Sequence, residues 1–147
     1  MNNYRHAMVM VENVDDGAAL LNCVAPLALD PQSPTEITLS HFSEDYRAMN
    51  YISDSMMDDA VAEDVIKAKA MLSHLVKISP FPIKTLQLVT LRQFDDVEKC
   101  IADLKIDLVI VGHRNRLFGT FTSRAFDLIN HLNTDILIRH IPDKGEH

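Results

Sequence analysis

No apolar run in the sequence approaches the ~18 consecutive residues of a membrane-spanning helix, so no spanning segment is expected. The run Ala7 to Val11 is too short for the core of a secretory signal, and a reducing cytoplasm is the expected compartment. There are only two cysteines, Cys23 and Cys100, which excludes a disulfide framework. Each falls on the apolar face of a predicted helix, where a small buried thiol is expected. Basic residues are the minority, 14 Lys and Arg against 21 Asp and Glu, with a net charge of -7. That balance argues against nucleic acid as a partner, because a phosphate backbone demands clustered Lys and Arg. Seven histidines are scattered without the spacing of zinc ligands, so no metal site is expected. Several ligand motifs of α/β proteins are also missing. There is no G-x-G-x-x-G after the first strand, no G-x-x-x-x-G-K-[ST] and no G-x-S-x-G elbow. The third predicted strand ends Thr90-Leu91-Arg92, without the acceptor Asp of a response regulator. No cofactor is expected.

What is present is a regular alternation. Predicted strands occupy His6 to Val11, Ile37 to Phe42, Ile83 to Leu91, Leu108 to Val111 and Ile136 to Ile138. Between them lie helical patterns. Leu20, Leu21, Val24, Leu27 and Ala28 form the inner face of the first, with Asp15 or Asp16 as its cap and Pro31 and Pro34 beyond its end. Val61, Val65, Ala68, Leu72 and Leu75 step by four and three along a long amphipathic helix, stopped by Pro80 and Pro82. Val97, Ile101 and Leu104 mark a third helix, with Asp95 as its cap. Ala125, Phe126, Ile129 and Leu132 mark a fourth. The pattern predicts one α/β domain over residues 1–147, a doubly wound five-stranded parallel sheet with four helices on both faces. The right-handed crossover rule favours the strand order 3-2-1-4-5.

Asp107 to His140 is the most informative stretch: strand, loop, helix, strand. In open α/β sheets ligands bind beyond the carboxyl ends of the strands, so the loop after Gly112 is the first place to look. It carries His113, Arg114, Asn115 and Arg116, then Thr120, Thr122, Ser123 and Arg124 at the next helix start. Guanidinium groups and the free N–H groups of a helix N-terminus can hold an anion. The same residues are equally consistent with Thr122 or Ser123 capping the helix and the arginines lying in water. Between Glu44 and Asp64 stand seven acids (Glu44, Asp45, Asp54, Asp58, Asp59, Glu63 and Asp64) and one base, Arg47, interleaved with Tyr46, Met49, Tyr51, Met56 and Met57. A solvated loop leading into a helix explains this stretch, and a partner surface is the functional alternative.

The Gly-His pair after DLVIV, the run S-R-A-F-D-L-I-N and the strand Asp135-Ile-Leu-Ile resemble the C-terminal end of universal stress proteins. The run His6 to Glu12, followed by Asn13 to Gly17, is similar to the family's first strand and turn, where an Asp commonly stands in place of Glu12. The resemblance implies a cytoplasmic stress-response protein. ATP-binding members carry G-x2-G-x9-G-[ST] at the loop. In this sequence the first Gly is Gly112, but the later positions hold Asn115, Ala125 and Phe126. The chain therefore resembles the UspA-like branch, whose members are non-enzymatic dimers that do not bind ATP. The alternative is a nucleotide-binding or phosphotransfer protein using Glu12, Asn13, Gly112, His113, Arg114, Asn115, Thr122, Ser123 and Arg124. The resemblance also implies a homodimer, or a heterodimer with paralogues, in which the last strand pairs antiparallel with its copy. The interface would be Asp135, Ile136, Leu137, Ile138, Arg139, His140 and Ile141. Arg139 and His140 stand where the family usually has an apolar residue and proline, and Arg139 would meet its own copy unless Asp135 pairs with it.

Overall fold

A computed structural model of the chain describes residues 3–44, 54–90, 93–113 and 131–141. In chain order the elements are β1 (His6–Met10), α1 (Val14–Ala28), β2 (Glu36–Glu44), α2 (Asp54–Ile78), β3 (Lys84–Thr90), α3 (Gln93–Leu104), β4 (Leu108–His113) and β5 (Asp135–His140). The expected fourth helix lies outside the described residues, apart from helical His131.

All neighbouring strands are parallel, and the sheet order is β3-β2-β1-β4-β5, as expected. The central strand β1 is buried at every position, which is why His6 to Met10 is almost continuously apolar. Side chains of successive residues leave opposite faces of the sheet. One face carries Ala7, Val9, Ile37, Leu39, Leu108 and Ile110, packed under Leu20, Leu21 and Val24 of α1 and Met71, Leu72 and Leu75 of α2. The other carries Met8, Met10, Phe42, Val109 and Val111, covered by Val97 and Ile101 of α3. Helices thus lie on both faces.

The helix ends correct two expectations. The cap of α1 is Asn13, whose side chain accepts from the Asp16 N–H at 2.9 Å. Asp15 and Asp16 lie in the first turn, where carboxylates meet the positive end of the helix dipole. Asp95 likewise sits inside the first turn of α3 rather than at its cap. Leu104, the last residue of α3, is 39% exposed. Two bonds close that end: Ile106 N–H to the Ile101 carbonyl at 2.9 Å and Lys105 N–H to the Ala102 carbonyl at 3.3 Å. This doubly bonded ending requires a left-handed residue, and Lys105 takes it with φ 55°.

Below the sheet, at the amino ends of the strands, His6 ties three elements together. Its Nδ1 lies 3.0 Å from the Leu104 carbonyl, which only accepts, so Nδ1 carries the proton. Nε2 is then the acceptor for the Thr38 hydroxyl at 2.7 Å. The Asp107 carboxylate accepts from the backbone N–H groups of Arg5 and His6 at 2.9 and 3.0 Å. This histidine is structural and lies at the end of the sheet opposite the candidate site.

Candidate functional site

The carboxyl ends of β1 and β2 open onto a cavity of about 620 Å³. Glu12 and Asn13 line it from the turn after β1, His41 and Ser43 from β2, and Asp64 and Lys67 from α2. The backbone explains the grouping. Ile37, Leu39, His41 and Ser43 alternate along one face of β2, apolar beneath the helices and polar where the strand emerges from under them. Of the residues singled out from the sequence, Glu12 and Asn13 are brought together here. His41, Ser43 and Lys67 were not foreseen, although the switch from apolar to polar along that face of β2 is the signal that marks two of them.

Several polar groups of the cavity already have partners within the chain. Asn13 Oδ1 caps α1. Ser43 Oγ lies 3.3 Å from His41 Nδ1. Lys67 Nζ pairs with Glu63 at 2.9 Å, one helical turn back, and that hydrogen bond raises the lysine's pKa above its ordinary value. Such a cleft can hold a small polar ligand by hydrogen bonds. No group of three metal-ligating side chains occurs among the described residues.

Gly112 and His113 end β4, in register with Arg139 and His140 of β5. They do not line the cavity described above. A Cβ built on Gly112 would overlap Ile141 Cδ1 and lie 3.4 Å from Ile141 Cγ1, with Leu20 Cδ1 at 3.8 Å. The chain's own core thus occupies the space beside this glycine. His113 instead faces His140 across the strand pair, with ring centroids 6.5 Å apart and planes tilted by 58°. Arg114, Asn115, Thr122, Ser123 and Arg124 lie outside the described residues, as do Ala125 and Phe126. Of the acidic stretch, residues 45–53 also lie outside them.

β5 is an edge of the sheet among the described residues, with Leu137 40% and Ile138 36% exposed. Asp135 accepts from the Tyr4 hydroxyl at 2.9 Å. That carboxylate raises the tyrosine's pKa, because it favours the protonated phenol. Ile141 corrects the expected strand face. It is 4% exposed and belongs to the core beneath α1 and α2, held by its N–H to the His113 carbonyl at 2.8 Å. Both cysteines are free and only half-buried, not fully enclosed as expected. Burial still pushes the Cys100 thiol up.

No family model matches the chain. A universal stress protein A homolog from Haemophilus ducreyi is 28% identical over 146 residues, covering 96% of this chain and 99% of the relative. Universal stress protein A from Buchnera aphidicola is 25% identical over 143 residues, covering 94% of this chain and 97% of the relative. Over nearly its whole length the chain is similar to these universal stress proteins. The fold agrees with that of a universal stress protein from Archaeoglobus fulgidus, at a TM-score of 0.66 and 22% identity over 92% of this chain and 93% of the other. A structure of the Archaeoglobus fulgidus universal stress protein in complex with dAMP matches at a TM-score of 0.63 and 21% identity, over 92% of this chain and 97% of that one. No described helix is long and apolar enough to cross a membrane.

Proposed function

We propose that this chain is a universal stress protein of the UspA-like type, a cytoplasmic, non-enzymatic homodimer that acts through protein partners and does not bind ATP. The observation that carries the reading is the surrounding of Gly112. A glycine that cradles phosphate keeps open space beside its backbone. At Gly112 that space holds Ile141 of the same chain, which gives the glycine a packing role instead. The sequence supports the same conclusion. Asn115, Ala125 and Phe126 stand where the ATP-binding pattern has glycine, glycine and a hydroxyl residue. Losing two charge-assisted hydrogen bonds costs about 3–6 kcal/mol, or roughly 10² to 10⁴ in affinity.

The exposed edge of β5 supports the dimer. Unpaired N–H and C=O groups on a sheet edge are seldom left bare, and a two-fold pairing satisfies both copies at once. Leu137 and Ile138 supply exposed apolar side chains on that strand.

The second reading is a nucleotide-binding protein, favoured by the cavity at Glu12 and Asn13 and by the dAMP complex of the Archaeoglobus protein. Isothermal titration with ATP and magnesium separates the two. The UspA-like reading gives no saturable heat up to ~1 mM nucleotide, whereas a saturable isotherm with a Kd below ~100 μM establishes the second.

A further inference from the structure

The sheet has a second edge. Strand β3 pairs only with β2 among the described residues, and its sequence K-T-L-Q-L-V-T carries no proline. Its one charged residue, Lys84, stands at the first position with its amine paired to Glu36. Proteins usually blunt such an edge with mid-strand charges, proline or a bulge. Among the described residues no strand pairs with the outer side of these seven residues.

A groove runs beside that edge. Thr85 and Gln87 face α2, and Gln87 Nε2 donates to the Val65 carbonyl at 3.1 Å. Leu86 and Leu88 turn to the opposite face and pack near α3. The groove between β3 and α2 has a volume of about 490 Å³ and a floor of buried Leu72. Val76 lines it at 41% exposure, and Val89, at the end of the strand, is 37% exposed. Lys69 and Lys77 stand along its helix side, both exposed.

The lysine spacing defines an occupant. Lys77 stands eight positions after Lys69 on the helix, a rise of roughly 12 Å at 1.5 Å per residue. An extended strand covers roughly 13 Å in four residues, and residues i, i+2 and i+4 share one face. A peptide added to β3 would therefore set side chains i and i+4 near the two lysines and i+2 over Leu72 and Ser73, midway between them. Charge complementarity requires acids at the ends of that triplet, and the apolar floor requires an aliphatic residue in the middle.

We infer that the β3 edge and the α2 groove form a docking site for an extended peptide of the pattern acid-x-aliphatic-x-acid, bound by strand addition. Main-chain hydrogen bonds give the affinity, and the two lysines with the Leu72 floor select the sequence. The site lies on the opposite edge of the sheet from β5, so it stays open whether or not β5 pairs with a second copy.

The test uses the full chain and two fluorescein-labelled peptides, Ser-Thr-Glu-Thr-Val-Thr-Glu-Thr-Ser and the same peptide with both Glu replaced by Lys. Anisotropy at low salt is expected to show saturable binding of the acidic peptide and about tenfold weaker binding of the basic one. In the double variant Lys69→Glu with Lys77→Glu, whose fold is checked by circular dichroism, the preference should reverse. A peptide with proline at the central position should bind neither protein. Absence of binding by the acidic peptide up to ~1 mM overturns the proposal, as does equal binding of both peptides to the wild-type chain. If the double variant alters sedimentation of the chain but not peptide binding, the groove is occupied by a second copy and the proposal falls.

Discussion

Replacing Gly112 by alanine probes the contact on which the functional reading rests. The new Cβ would overlap Ile141 Cδ1, while its next neighbours, at 3.4 and 3.8 Å, are ordinary contacts. Overpacking a core costs about 1–3 kcal/mol, and the obstructing atom is the tip of a flexible side chain, so the lower half of that range applies. Replacing a strand glycine returns roughly 0.5–1 kcal/mol of backbone entropy. The net expectation for Gly112→Ala is a loss of about 1 kcal/mol. Ile141→Val removes the obstructing methyl and alone costs about 0.5–1.5 kcal/mol. In the double variant the alanine methyl fills the space that the isoleucine gave up. The two effects should therefore fall short of their sum by about 1 kcal/mol, beyond the ~0.3–0.5 kcal/mol within which independent sites add. Urea unfolding of the four proteins measures this coupling. Strict additivity, or no loss in Gly112→Ala, would refute the packing role of this glycine and reopen its use as a close approach for a ligand.

Three further outcomes follow from other parts of the chain. Lys105→Gly relieves the left-handed backbone at the end of α3 and should stabilise the protein by about 0.5–1 kcal/mol in the same unfolding assay. The hydrogen bond from Lys84 holds the Glu36 carboxyl below its ordinary pKa, so its contribution is present above the usual glutamate range, near pH ~4.3, and is lost as pH falls through the lowered folded-state pKa. Glu36→Gln should remove a small part of the acid sensitivity of thermal unfolding in that window and change little at neutral pH, since the pair is largely exposed. Leu137→Lys places a charge on the exposed edge of β5 and should shift sedimentation towards the monomer at micromolar concentration. An unchanged dimer would move the interface elsewhere.

The alternation of buried strands and amphipathic helices made the sheet order legible in the sequence, because each apolar period maps directly onto a face. Helix ends were less legible. Asn13, Asp15 and Asp16 are all good caps by type, and only the backbone decides that Asn13 takes the position. Leu104 continued the helical period of Val97 and Ile101, but α3 ends there and exposes it. The site was half legible. Glu12 and Asn13 follow from their place beyond β1, whereas His41 and Lys67 meet only through the packing of α2 against β2. Ile141 looked like the end of an edge strand. It is buried because β5 ends at His140 and the chain turns its next side chain under the sheet, against the one residue there without a Cβ.

Native mass spectrometry of the protein purified from its own cells tests the central claim most directly, since it reports oligomer and bound ligand in one spectrum. The account predicts a species of twice the 16.6 kDa chain mass with no nucleotide attached. A monomer, or a dimer carrying an adduct of ATP mass on each chain, would contradict it.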